Sequence, residues 1–338
     1  MTARLAHLDL ARGWLMAHMA FDHANFLLGD SRFSETPAGV AFREPASLAQ
    51  FVARQLGTPV APGFMVLAGV GASLKLARDG AAARGDLVKR AGLLVGVDLA
   101  MSLPDILLGA WGFDVLTAAA LALLAVAALH DRVSNAALGA LAVVLVVSPE
   151  LMSRGGLTGG VAEVLALGRV AGPRVSYPVL PWLGLALVGA FAARRGWLAG
   201  SARAGLALVV LGAALQGLTA RSGSWFERAT FSRYPPSVAY VAWNLGWFSL
   251  VVVAARRLVE RRASAPLLRA FADLGASPLL FYVVHFSALF ALSLAGLRVR
   301  DPLGIALVAG VVTASCLPLA RALRAFKRAA PLGLRRLL

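Results

Sequence analysis

The sequence predicts an all-α fold: a polytopic integral membrane bundle of about ten transmembrane helices with both termini cytoplasmic. Three observations predict it. The 338 residues are 59% hydrophobic and 15% charged, with a mean hydropathy of +0.74, whereas soluble domains run near ~45–50% apolar and ~25% charged. Long apolar stretches recur along the whole chain. Lysines and arginines gather at the ends of those stretches, and two-thirds of the 33 fall on the side of the N-terminus. By the positive-inside rule that side is the cytoplasm, and an even number of spans returns the C-terminus to it.

Residues 12–29, 60–77, 88–108, 112–130, 135–149, 176–194, 203–220, 236–255, 274–296 and 303–323 each read as a span. Residues 45–58 (PASLAQFVARQLGT) are too short to cross and read as an interfacial or re-entrant helix. The Gly-rich, weakly apolar residues 150–175 read as an external loop that holds a short helix. Every linker is short, so residues 1–338 form one transmembrane domain. The net charge of +16 belongs to helix ends that anchor in the lipid bilayer, and nucleic acid is not an expected partner. A single cysteine, Cys316, excludes a disulfide framework and a Cys-rich metal site. No phosphate-binding GxxxxGK[ST] loop, Rossmann glycine fingerprint, HExxH or GxSxG is present.

The chemistry concentrates in the first span, DLARGWLMAHMAFDHANFLLG, which carries Asp9, Arg12, His18, Asp22, His23 and Asn25. Each ionisable group inside a membrane costs ~2.5–3.5 kcal/mol on insertion scales, so such groups point to function. On a helix Arg12 and His23 stand ~16 Å apart along the axis, about half the ~30 Å hydrocarbon core. That puts a cation at one surface and an imidazole suited to general-base work near mid-depth. Asp22 is its neighbour in sequence, although successive helical residues point ~100° apart; a structural imidazole bonding between helices is the competing reading.

GASPLLFYVVHF (275–286) sets Tyr282 and His285 three apart on one helical face. Both are placed to line a cavity with His23, provided the two imidazoles lie within about 12 Å of one another; direct contact needs roughly 3 Å. Asp98 lies inside a span and is expected to pair with an arginine or orient a histidine; Asp105 follows near that helix's outer end. On the outer side, Arg54, Arg233 and Tyr234 accompany Pro-directed helix starts, where they meet lipid headgroups or a polar acceptor.

RLAHLDLARGWLMAHMAFDH, LAQFVARQLGTPVAPGFMVLAGVGASL, YPVLPWLGLALVGA, RYPPSVAYVAWNLGW and GASPLLFYVVHF occur in an order that resembles one bacterial membrane family. It is similar to the catalytic domain of heparan-α-glucosaminide N-acetyltransferase, over about residues 4–290. The opening LDxxRG, with a His eleven residues after the Arg, also resembles the wider set of glycan-modifying membrane acyltransferases.

The resemblance implies an inner-membrane enzyme that transfers an acetyl group from cytosolic acetyl-CoA to an amine or hydroxyl of a sugar or envelope glycan outside. His23, Asp22 and His285 would be the catalytic groups, and Arg12, Asp9 and Arg90 would face the acyl-CoA. Arg54, Arg233, Tyr234 and Tyr282 would meet the acceptor, Asp98 and Asn25 would support the site, and no metal takes part. The chain departs from the family pattern at Thr58, where a His is expected, and at Ala91, where a Gly is. In the lysosomal enzyme the position matching His23 looks like Asn. A transporter for a small anion or lipid-linked intermediate, and a non-catalytic assembly protein, are the other readings; a homodimer stays open.

Overall fold

The computed structural model describes residues 5–29, 44–45, 47–103, 106, 112–156, 161–167, 174–175, 177–219, 224–262 and 265–330. Asp105 lies outside them. The described residues are mainly helical; among them Gly112–Phe113 pairs in parallel with Arg174–Val175, and Arg233 forms an isolated bridge with Pro236. In order come α1 (Ala6–Leu28), α2 (Leu48–Gly57), α3 (Val60–Asp79), α4 (Ala81–Met101), α5 (Val115–Leu129), α6 (Asn135–Val146) and α7 (Ser148–Arg154). A π-helical turn at Glu163–Leu167 follows, then α8 (Val179–Arg194), α9 (Ala202–Thr219), α10 (Trp225–Ala229) and α11 (Val238–Arg262). The chain closes with α12 (Pro266–Gly275), α13 (Pro278–Leu294) and α14 (Pro302–Ala329).

Local chemistry sets the helix starts. Ser47, Asp114, Ser134, Ser224 and Asp301 stand at N-caps and accept from first-turn amides of α2, α5, α6, α10 and α14. Pro266, Pro278 and Pro302 open α12, α13 and α14, positions where a missing N–H costs nothing.

Each of the ten apolar stretches holds a helix, but fewer are long and apolar enough to cross a membrane. Among the described residues four qualify: Leu48–Asp79, α9, α11 and α14. The count is six if the bent pairs α6–α7 (53°) and α12–α13 (93°) are each one span. α5 and α8 are shorter apolar helices, and the apolar run of the continuous α1 is interrupted by Asp9, Arg12 and Asp22. Its place explains that composition: Ala11, Leu15, Met16, Ala20 and Ala24 are all fully buried, so much of its surface meets protein rather than lipid. The segment 45–58 departs from the interfacial reading. α2 runs into α3 as one 32-residue candidate span, because Pro59 falls before the first turn of α3 and because Phe51, Ala53, Arg54 and Thr58 are buried.

Glycines bring the backbones together, as small residues do in membrane bundles. α3 meets α8 where a Cβ on Gly69 would lie 1.8 Å from the Ala186 carbonyl oxygen and one on Gly189 2.0 Å from that of Val66. α1 meets α12 where a Cβ on Gly13 would lie 1.9 Å from the Phe271 oxygen and one on Gly275 1.9 Å from the Asp9 oxygen. Gly275→Ala is therefore expected to lower stability by about 1–3 kcal/mol or more, since backbone must move; thermal unfolding in detergent measures it.

Candidate active site

α1 and α13 run parallel, and α1 is bonded to the α12–α13 segment at three levels. Near their N-terminal ends Arg12 Nη1 donates to the Gly275 carbonyl at 3.0 Å, just before α13 begins. Midway, His23 Nδ1 and His285 Nε2 are 2.8 Å apart. Near their C-terminal ends Ser293 Oγ donates to the Leu27 carbonyl at 3.1 Å. Arg12 and His23 share one face of α1, because eleven residues return the helix to nearly the same azimuth. The sequence-level condition of about 12 Å is met by direct contact.

The imidazole pair has a defined polarity. His285 is fully buried and its Nδ1 lies 2.6 Å from the Phe281 carbonyl one turn back. A carbonyl oxygen only accepts, so Nδ1 carries the hydrogen, and in the neutral ring Nε2 is a lone pair. His23 Nδ1–H must then donate to it, which leaves the lone pair of His23 on Nε2. The two rings are nearly coplanar, 7° apart with centroids at 5.0 Å. Phe286 meets His23 edge-on at 5.2 Å, Tyr282 does so at 6.2 Å, and Phe281 stacks on His285 at 4.7 Å.

Arg233 stands within electrostatic reach of both His23 and Tyr282. It is buried, donates to the Tyr177 hydroxyl, and lies over the rings of Tyr177 and Tyr234 at 5.5 and 5.0 Å. Such cation–π contacts strengthen when desolvated. Sequence reasoning named Arg233 and Tyr234 but passed over Tyr177, whose only signal was its place in YPVLPW.

Other expected residues fall elsewhere. Asp22 turns away from the imidazole pair: its carboxylate packs against Gly57 on α2, 2.5 Å from where a Cβ would be, and it acts on His18 one turn back. His18 in turn packs on Trp14. Asn25 is buried on that same side, in a cleft with Phe21, Gln50, Ala53 and Arg300. Arg54 is buried within α2 rather than displayed outside. Arg12 is held by Asp9 at 3.1 Å as well as by Gly275. Arg90 is exposed on α4, which packs mainly on α5 and α3.

Among the described residues Asp98 bonds to Thr117 rather than to an arginine or a histidine. Its Oδ2 accepts from the Thr117 amide at 3.0 Å and from the Thr117 hydroxyl at 2.5 Å, because the first turn of α5 offers unbonded donors and a positive dipole end to a buried carboxylate. Asp98→Ala is expected to destabilise the α4–α5 pair by about 1–3 kcal/mol, read as a fall in Tm. Thr58 and Ala91, named from the resemblance, both lie in packed surroundings. Thr58 Oγ1 donates to Asn244 Oδ1 at 2.9 Å, and its carbonyl accepts from the Tyr240 hydroxyl at 3.0 Å. Ala91 is buried in the α3–α4–α5 core.

A family comparison decides what this arrangement belongs to. Residues 4–223 match the family described as heparan-alpha-glucosaminide N-acetyltransferase, catalytic. The chain belongs to that family. No curated protein matches it. The heparan-alpha-glucosaminide N-acetyltransferase match makes the chain an acyltransferase-type membrane protein, and the family in general uses acetyl-CoA as donor. The match covers Arg12 and His23 but ends before Arg233, Tyr282 and His285, short of the span expected from sequence. Geometry, not the family match, brings His285 to His23.

Proposed function

We propose that the chain is an inner-membrane acetyltransferase of a bacterium, taking acetyl groups from cytosolic acetyl-CoA and passing them to an amine or hydroxyl of a sugar or envelope glycan outside. In this reading the ten helical stretches all lie within the bilayer, with both termini cytoplasmic. The observation that carries it is the 2.8 Å His23–His285 pair, which leaves a lone pair on His23 Nε2. As the acceptor's nitrogen or oxygen attacks the acetyl carbonyl, His23 Nε2 takes its proton. The carbon–sulfur bond then breaks, and the same proton passes to the departing sulfur. His285 holds His23 in the required tautomer throughout, and Arg233, fixed between Tyr177 and Tyr234, meets the acceptor or the developing oxyanion. Tyr282 walls the site and Asp98 braces the helices beside it. Arg12 and Asp9 stand on the donor side.

Proteoliposomes with labelled acetyl-CoA on one face and an amino sugar on the other test this. Label is expected on the sugar and none in protein-free vesicles. A sugar or lipid intermediate that crosses without CoA, with no label transferred, would establish the transporter reading instead.

A further inference from the structure

α12 ends and α13 begins at a 93° bend, so α12 does not continue into the first turn of α13. The residue at the corner, Ser277, stands at the N-cap of α13 yet does not cap it. It is 2% exposed, and its hydroxyl has no hydrogen-bond partner among the described residues. A buried polar group left unbonded is costly, and here it sits at the positive end of a 17-residue helix. Pro278 has no N–H; the amides of Leu279 and Leu280 follow, with no carbonyl within the helix to meet them. Two residues before Ser277, the Gly275 carbonyl receives Arg12 Nη1, the same nitrogen that donates to Asp9 Oδ1. The corner therefore gathers donors: one hydroxyl, two amides and a neighbouring guanidinium.

We infer that this corner binds the pyrophosphate of the acyl donor, an inference that rests on the acetyl-CoA reading above. Distance supports the assignment. Ser277 to His285 is eight residues of α13, or ~12 Å of helix, and Arg12 to His23 is eleven residues of α1, or ~16 Å. Both helices thus measure the same gap, since α1 is bonded to the α12–α13 segment at either end of it. An extended chain advances roughly 1.2 Å per bond, so the about thirteen bonds between the pyrophosphate and the sulfur of CoA cover about 15 Å. A donor seated at the corner delivers its thioester to the imidazole pair. Met16 and Met19 lie along α1 between the two ends, buried in the same apolar cluster as Phe281; unbranched side chains of that kind repack readily around a thin arm.

The test is CoA binding by calorimetry to the full chain in nanodiscs of zwitterionic lipid. Ser277→Val is expected to weaken CoA binding by about tenfold or more and to leave pantetheine, which lacks the pyrophosphate, unaffected. Ser277→Asp should weaken it further, because its carboxylate caps α13 and repels the ligand; a Tm at or above wild type shows that variant to be folded. If both variants bind CoA as the wild type does, the corner is not the pyrophosphate site, while the acyltransferase reading stands. If the wild type ignores CoA but binds inorganic pyrophosphate through Ser277, the donor assignment fails together with the acetyl-CoA reading. If Ser277 variants instead lose only co-purifying anionic lipid, the occupant is a headgroup and the inference is overturned.

Discussion

His23→Ala is expected to lower acetyl transfer by about 10²–10⁴-fold, the range for removal of a positioned general base, while CoA binding stays within about twofold of wild type. The split follows from the helix: the corner beside Arg12 is ~16 Å from His23, so the donor's charged end never meets the deleted ring. Initial rates with saturating donor, set beside a binding isotherm, separate the two. His18→Ala is the matched control. It removes another imidazole of the same helix, but one that faces Trp14 and Asp22, and transfer should change by less than about threefold. Equal losses in the two variants would mean that α1 contributes packing, not chemistry.

His285→Leu is expected to cost about 10²–10³-fold in kcat, whereas His285→Gln keeps most of the activity. Leucine removes the acceptor for His23 Nδ1–H, so His23 is free to adopt the tautomer with its hydrogen on Nε2, useless as a base; loss of the correct tautomer is severe elsewhere in catalysis. Glutamine retains both functions of His285, an oxygen to accept from His23 and an amide N–H to donate to the Phe281 carbonyl. KM for the donor should hold in both variants. If glutamine is as damaging as leucine, His285 exchanges protons or carries the acyl group itself, and the positioning role fails.

What could be read from the sequence was whatever a helix repeats at fixed intervals. Eleven residues between Arg12 and His23 fixed their common face and spacing, and Tyr282 and His285 declared themselves by lying in an apolar span. The 2.8 Å contact between α1 and α13 was not legible, because residues 262 apart in the chain are brought together by tertiary packing that neither helix's own periodicity announces. Asp98 misled for a related reason: a buried carboxylate finds backbone donors at a helix start as readily as a cation, and the Thr117 amide leaves no mark in composition. Asp22 was drawn to His23 by adjacency, which a helix turns into ~100° of separation. Of the ten stretches, only those whose helices are both long and apolar stand out as candidate spans among the described residues; the charges of α1 interrupt its apolar run, and α5 and α8 are shorter.

The right-angled corner has a mechanical corollary. α12 turns through 93° from α13 and exposes Leu267 and Arg269. Its other side is riveted to α1 by backbone at Gly13 and Gly275 and to α14 through Asp273, which receives Arg321 and Arg324. A displacement of α12 would therefore be felt at the start of α1 through backbone contact rather than through flexible side chains.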